Sequence, residues 1–124
     1  MQRDSHQQCI DACYTCADAC DHCAIACLQE PQPKLLARCI ALDMDCAQAC
    51  RMAAGFMSRG SPNDSAACAL CAMLCAACAA ECEQHQTDHC RTCAHACRRC
   101  ADECSRMSHR KTRAETVAGT HVHH

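Results

Sequence analysis

Cys9, Cys13, Cys16, Cys20, Cys23 and Cys27 follow one another at separations of 4, 3, 4, 3 and 4 residues. An ionised thiol is a soft metal ligand and a nucleophile, so such a row commits the segment to soft-metal binding or to redox chemistry. The alternation returns at Cys68, Cys71, Cys75, Cys78 and Cys82, again at Cys90, Cys93, Cys97, Cys100 and Cys104, and more sparsely at Cys39, Cys46 and Cys50. These four runs contain all nineteen cysteines of the 124-residue chain.

A spacing that averages about 3.5 residues is the a/d seam of a helix packed into a bundle. Ser5 and Gln8 read as a capping box opening a first helix over residues 6–29, which Pro31 and Pro33 end. A second helix is expected over residues 34–58, with Pro33 at its first turn and a seam of Cys39, Asp43, Cys46, Cys50, Ala53 and Met57. Residues 58–64 form a turn, with Asn63 or Asp64 capping a third helix over residues 65–84. Thr87 or Asp88 caps a fourth helix over residues 88–107. Residues 108–124 lose the periodicity and are polar, basic and His-ended; they read as a disordered tail beyond one domain of residues 1–107. His121, His123 and His124 belong to that frayed end rather than to a metal site. The predicted fold is all-α, an up-down-up-down four-helix bundle with a cysteine-lined core. From Cys9 to Cys27 the thiol column extends about 27 Å.

Composition removes several classes of function. A net charge of −2 without a basic stripe, and only Tyr14 and Phe56 as aromatics, leave no nucleic-acid surface. No run reaches 18 uninterrupted apolar residues, so no membrane span is expected. The start of the chain has no apolar run and does not read as a signal peptide. An odd number of cysteines and neighbours three or four apart on one rigid helix argue against a disulfide scaffold. The expected compartment is therefore the cytoplasm, with the thiols reduced. The Cys-x-x-Cys pairs, such as Cys13/Cys16 and Cys75/Cys78, lack the βαβ setting of thioredoxin-like redox motifs.

Taken singly, each cysteine reads as a small buried hydrophobe. Thiols facing thiols across the whole seam are expected to underfill the space that leucines would occupy, which leaves room for a soft metal. Several tetrahedral Zn(Cys)4 sites in one column would bury two negative charges each, with no Lys or Arg inside the seams. Iron–sulfur clusters need a different cysteine order. Cu(I) accepts two or three sulfurs, and each thiolate can bridge two ions. The ratio then approaches one Cu(I) per cysteine, and a column of that composition is neutral. Pairs such as Cys9/Cys13 lie one turn apart on a single face, so that one ion fits between the two members.

With this pattern the chain resembles the cytosolic branch of the four-helix-bundle copper storage proteins, over residues of about 6–107. The resemblance implies a homotetramer of bundles, each with many Cu(I) ions in its own core, and marks all nineteen cysteines as ligands. It implies storage and protection against copper toxicity without catalysis. The expected donor is a copper chaperone or a small thiol. Helix two departs from the pattern, because Asp43 and Ala53 take seam positions.

At one end of the bundle the seams run on into His6, Met57, Ser65 and Met107, with His109 close by. These soft donors are candidates to pass Cu(I) inward, and Met57 and Met107 serve equally well as plugs. His85 and His89, at the other end, read as ordinary loop histidines. Asp43 is either a solvated residue on a rotated helix or a buried carboxylate beside copper, and its phase with the flanking Cys39 and Cys46 favours the latter. Leu36, Ile40 and Met44, and Leu70, Met73 and Leu74, form stripes expected outside the bundle, where they suggest association between bundles. The competing readings are a zinc or mixed-metal sink, a thiol redox protein and a purely structural helical oligomer.

Overall fold

In the computed structural model the backbone is described for residues 2–122 and the side chains for residues 6–109. Helix α1 spans Gln2–Leu28, α2 Ala37–Ser58, α3 Asp64–Cys82 and α4 Asp88–Val122, and a 3-10 turn covers Pro33–Leu36. Each helix packs against its neighbours in the chain, and α4 closes the ring onto α1. This is the up-down-up-down bundle that the cysteine spacing predicts, with no strand among the described residues.

The helix boundaries differ from expectation in instructive ways. α1 begins at Gln2, so Ser5 lies inside the helix and opens no capping box. Pro33 starts the 3-10 turn rather than α2 itself. Asn63 flanks α3 without a side-chain cap. At α4 the expected cap is present, since Thr87 Oγ1 accepts the backbone N–H of Cys90 at 3.3 Å. The helix end expected near residue 107 is absent, and α4 continues to Val122. Its added turns carry Arg110, Lys111, Arg113, Ala114 and Glu115, good helix formers with no glycine before Gly119. The side chain of His121, and all of His123 and His124, lie outside the described residues.

α3 has the most apolar helical segment among the described residues. It is long and apolar enough by length and composition to cross a membrane, with a mean hydropathy of 1.8. In the bundle its Cys68, Cys71, Cys75, Cys78 and Cys82 face is buried against α2 and α4.

The core is built almost entirely from sulfur and alanine. All nineteen cysteines are buried, at 1% exposure or less, as is Ala53 on the α2 seam, and Ala12, Ala17, Ala54 and Ala79 fill the flanking positions. Leu36, expected outside, is buried where the 3-10 turn folds it onto the bundle. Met44 and Met73 are exposed as expected, together with Leu28, Leu35 and Leu70, while Ile40 and Leu74 are half-buried.

α2 ends in a Schellman motif. The Gly60 N–H donates to the Met57 carbonyl at 3.1 Å and the Ser61 N–H to the Phe56 carbonyl at 2.9 Å. Gly60 has φ of 65°, the left-handed conformation that this motif requires, and no heavy atom lies within reach of an added Cβ. Gly60→Ala is therefore expected to lower apo-protein stability by about 1 kcal/mol through backbone strain alone. Urea denaturation followed by circular dichroism checks this, and an unchanged midpoint would contradict the assigned turn.

Candidate metal centre

Each cysteine seam faces inward because three- and four-residue steps keep it on one helix face. The alanines beside the seams let the helices approach until sulfur touches sulfur. Between helices, Cys13 and Cys104 lie 3.5 Å apart, Cys46 and Cys75 3.5 Å, Cys39 and Cys82 3.5 Å, and Cys16 and Cys97 3.6 Å. Contacts also cross the bundle diagonally, with Cys16 3.9 Å from Cys75 and Cys50 3.8 Å from Cys100. The expected underfilled channel is thus replaced by a closed column of thiols in van der Waals contact.

Contact of this kind leaves interstices the size of a metal ion. Cys16, Cys46, Cys50 and Cys75 lie with all four sulfurs within 4.8 Å of one another, as do Cys16, Cys20, Cys46 and Cys97. Cys20, Cys78, Cys93 and Cys97 form another such cage, and Cys13, Cys71, Cys100 and Cys104 and then Cys23, Cys27, Cys39 and Cys90 form two more. In the first cage, Cys46 and Cys50 are 4.0 Å apart and Cys50 and Cys75 3.6 Å. A tetrahedron with metal–sulfur bonds of about 2.3 Å has edges of about 3.8 Å, so the sulfur spacing in this cage is that of a tetrahedral thiolate site. Successive cages share thiols: Cys16 and Cys46 belong to two, and Cys20 and Cys97 join the second to the third. The sharing matches bridging thiolates rather than isolated sites.

Without metal, the column is a set of hydrogen-bonded neutral thiols. Burial pushes the Cys27 and Cys90 thiols up, which keeps their protons on at neutral pH. Asp43, with no exposed surface, is the one carboxylate sealed fully into this column among the described residues. Its Oδ1 accepts S–H donors from Cys78 at 3.2 Å and Cys93 at 3.3 Å. Burial, the largest cause, raises its carboxyl to about 8.

The two ends of the column differ. At the Cys9 end, Met57 is buried, Met107 is half-buried and His109 is exposed. His6 Nε2 is buried there and has no hydrogen-bond partner among the described residues. Ser65, expected at this mouth, donates from Oγ to the Ser108 carbonyl at 3.3 Å and ties α3 to α4. At the opposite end His89 departs from its reading as a loop histidine. Its Nδ1 lies 3.6 Å from Cys23 Sγ, 3.8 Å from Cys27 Sγ and 3.7 Å from Cys90 Sγ. The signal for it in the sequence was adjacency, since His89 immediately precedes Cys90 in the first turn of α4 and occupies the level of the last thiol cage. His85 instead pairs with Glu81 at 2.9 Å, outside the column.

Comparison with known proteins places this geometry among relatives. A sequence profile of the copper storage proteins (Csp) matches residues 2–109. YhjQ of Bacillus subtilis strain 168, described as an uncharacterized cysteine-rich protein, is 45% identical over 85 residues, which are 68% of this chain and 79% of that one. The Cu(I)-bound copper storage protein BsCsp3, of Bacillus subtilis, is similar with a TM-score of 0.81 and 44% identity, over 84% of this chain and 98% of that one. A cytosolic copper storage protein from Streptomyces lividans, in a copper-loading structure with five coppers, has a TM-score of 0.83 and 42% identity, over 86% and 93%.

The raised Asp43 carboxyl gives the apo protein a particular pH dependence. Between the ordinary value of 3.8 and the folded value of about 8, the folded state holds a proton that the unfolded state has lost. Stability therefore falls as pH rises through that window, by at most about 1.4 kcal/mol per pH unit. Urea midpoints of the metal-free, reduced protein are expected to decline from pH 4 to 8, and Asp43→Asn is expected to flatten that slope. Parallel pH profiles for the two proteins would refute the assignment.

Proposed function

The chain belongs to the copper storage protein family, and on that premise we propose that its nineteen cysteines hold Cu(I) as one continuous thiolate column. The function is storage and sequestration of Cu(I), which protects against copper toxicity, and the family's role as a store points away from catalysis. The observation that carries the ligand reading is the sharing of thiols between successive four-sulfur cages. A shared thiolate is a bridging ligand, and bridging is what allows many ions to load with few ligands per ion.

Charge selects Cu(I) over a zinc-filled core. A buried column needs near-neutrality. One Cu(I) per thiolate supplies it, whereas four thiolates per divalent ion leave two negative charges in each cage. We therefore put capacity close to one Cu(I) per cysteine. Asp43 is fully buried beside Cys78 and Cys93, so copper in that stretch sits next to a carboxyl group. His89 Nδ1 offers a neutral nitrogen donor to the cage of Cys23, Cys27, Cys39 and Cys90. His6, Met57 and Met107 supply soft donors at the opposite end, with His109 outermost.

Residues 1–107 are the storage bundle, a boundary supported by the family match over residues 2–109. A cytosolic location is supported by the Streptomyces lividans relative, described as cytosolic. Exposed Leu35, Met44 and Met73 support assembly of several bundles, which we take to be a homotetramer. A copper chaperone or a small thiol is the donor in this reading.

Anaerobic titration of the reduced protein with Cu(I), against a strong chromogenic Cu(I) chelator, tests the function. Uptake is expected to approach one ion per cysteine before the chelator colours, with proton release and little change in helicity, because neutral thiols already fill the core. Saturation at one or two ions would overturn the column and return the cysteines to zinc or redox chemistry.

A further inference from the structure

The imidazole of His89 is held from both sides. Nδ1 faces the thiols of Cys23, Cys27 and Cys90, and Nε2 lies 2.9 Å from Oε2 of Glu30. Glu30 stands on the turn between α1 and the 3-10 turn, where its own N–H donates to the Cys27 carbonyl at 3.2 Å. The backbone of Glu30 is thereby tied to that of Cys27, the last cysteine of the α1 seam. Both partners are largely withdrawn from solvent, with side-chain exposures of 13% for His89 and 33% for Glu30.

An ionised carboxylate only accepts hydrogen bonds, whereas a neutral imidazole carries one N–H and one lone pair. The contact with Glu30 therefore places the proton on Nε2 and leaves the lone pair of Nδ1 directed at the thiols. We propose that Glu30 is a positioning residue, which fixes the tautomer and ring orientation of His89 so that Nδ1 is a preformed donor for Cu(I) at this end of the column. The inference rests on the reading of His89 as a ligand given above. Metal-bound histidines commonly donate their second N–H to a carboxylate in this way, which orients the ring and raises its basicity. His85 supplies an internal contrast: its Nε2 makes a contact of the same length with Glu81, and no thiol contact accompanies it.

The test combines nitrogen NMR of the imidazole with buffered Cu(I). In the reduced, metal-free full chain near pH 7.5, long-range 1H–15N spectra are expected to show His89 as the Nε2–H tautomer. Glu30→Ala should give a tautomer mixture, and Glu30→Gln should keep the Nε2–H form through its amide oxygen. On titration with chelator-buffered Cu(I), the Nδ1 resonance should shift in the parent protein. In Glu30→Ala the same shift should require about 10- to 100-fold more free Cu(I). Circular dichroism establishes that each variant is folded, and the tautomer of the parent chain is a readout independent of any variant.

An Nδ1–H or doubly protonated His89 in the parent protein would overturn the proposal. An Nδ1 shift at unchanged free Cu(I) in Glu30→Ala would overturn it too, while leaving His89 as a ligand. If Nδ1 never responds to Cu(I), and His89→Ala loads like the parent, the ligand reading itself fails.

Discussion

Contact between sulfur atoms sets the dimensions of this bundle. Leucine or isoleucine at seam positions holds helix axes about 8–10 Å apart by side-chain bulk. Here the seam residue is cysteine and its flanks are alanine, and thiols of facing helices meet at 3.5–3.9 Å. Everything else in the fold accommodates that separation. Ile10, Leu36 and Met57 are the few large apolar side chains buried at the periphery. Surface pairs such as Arg98 with Glu83 and Arg51 with Asp21 bridge elements outside the core, where exposed ion pairs add little stability.

A core of this kind is governed by charge more than by volume. Protonated thiols are neutral and hydrogen-bond one another, so the apo bundle needs no metal to satisfy its interior. A monovalent ion that replaces a single proton leaves such an interior as neutral as before. Asp43 obeys the same constraint. In a sealed environment it holds its proton well above the ordinary carboxyl range rather than introducing a fixed charge.

The spacing of cysteines was enough to read helix number, helix order and the inward-facing residues, because a seam that repeats at three and four residues has a single geometric solution. Asp43 was legible for the same reason: it kept phase with Cys39 and Cys46. What escaped the sequence was of two kinds. Helix ends such as Gln2 and Val122 depend on the balance of weak local preferences, and the buried position of Leu36 depends on the path of one short turn. The role of His89 depends on where Cys23 and Cys27 of another helix come to rest, and no local pattern encodes that. A histidine next to a seam cysteine was a hint, and only the packing of α1 against α4 gave it meaning.

Overlap between neighbouring cages changes what a binding site is in this protein. Where Cys16 and Cys46 serve two cages at once, an ion moving from one to the next keeps two of its sulfurs while exchanging the others. Along these three cages the interior is less a rack of compartments than one connected set of sulfurs, in which neighbouring positions are built from the same thiols. A position in such a set has no address of its own: it is defined by the thiols that it borrows from its neighbours.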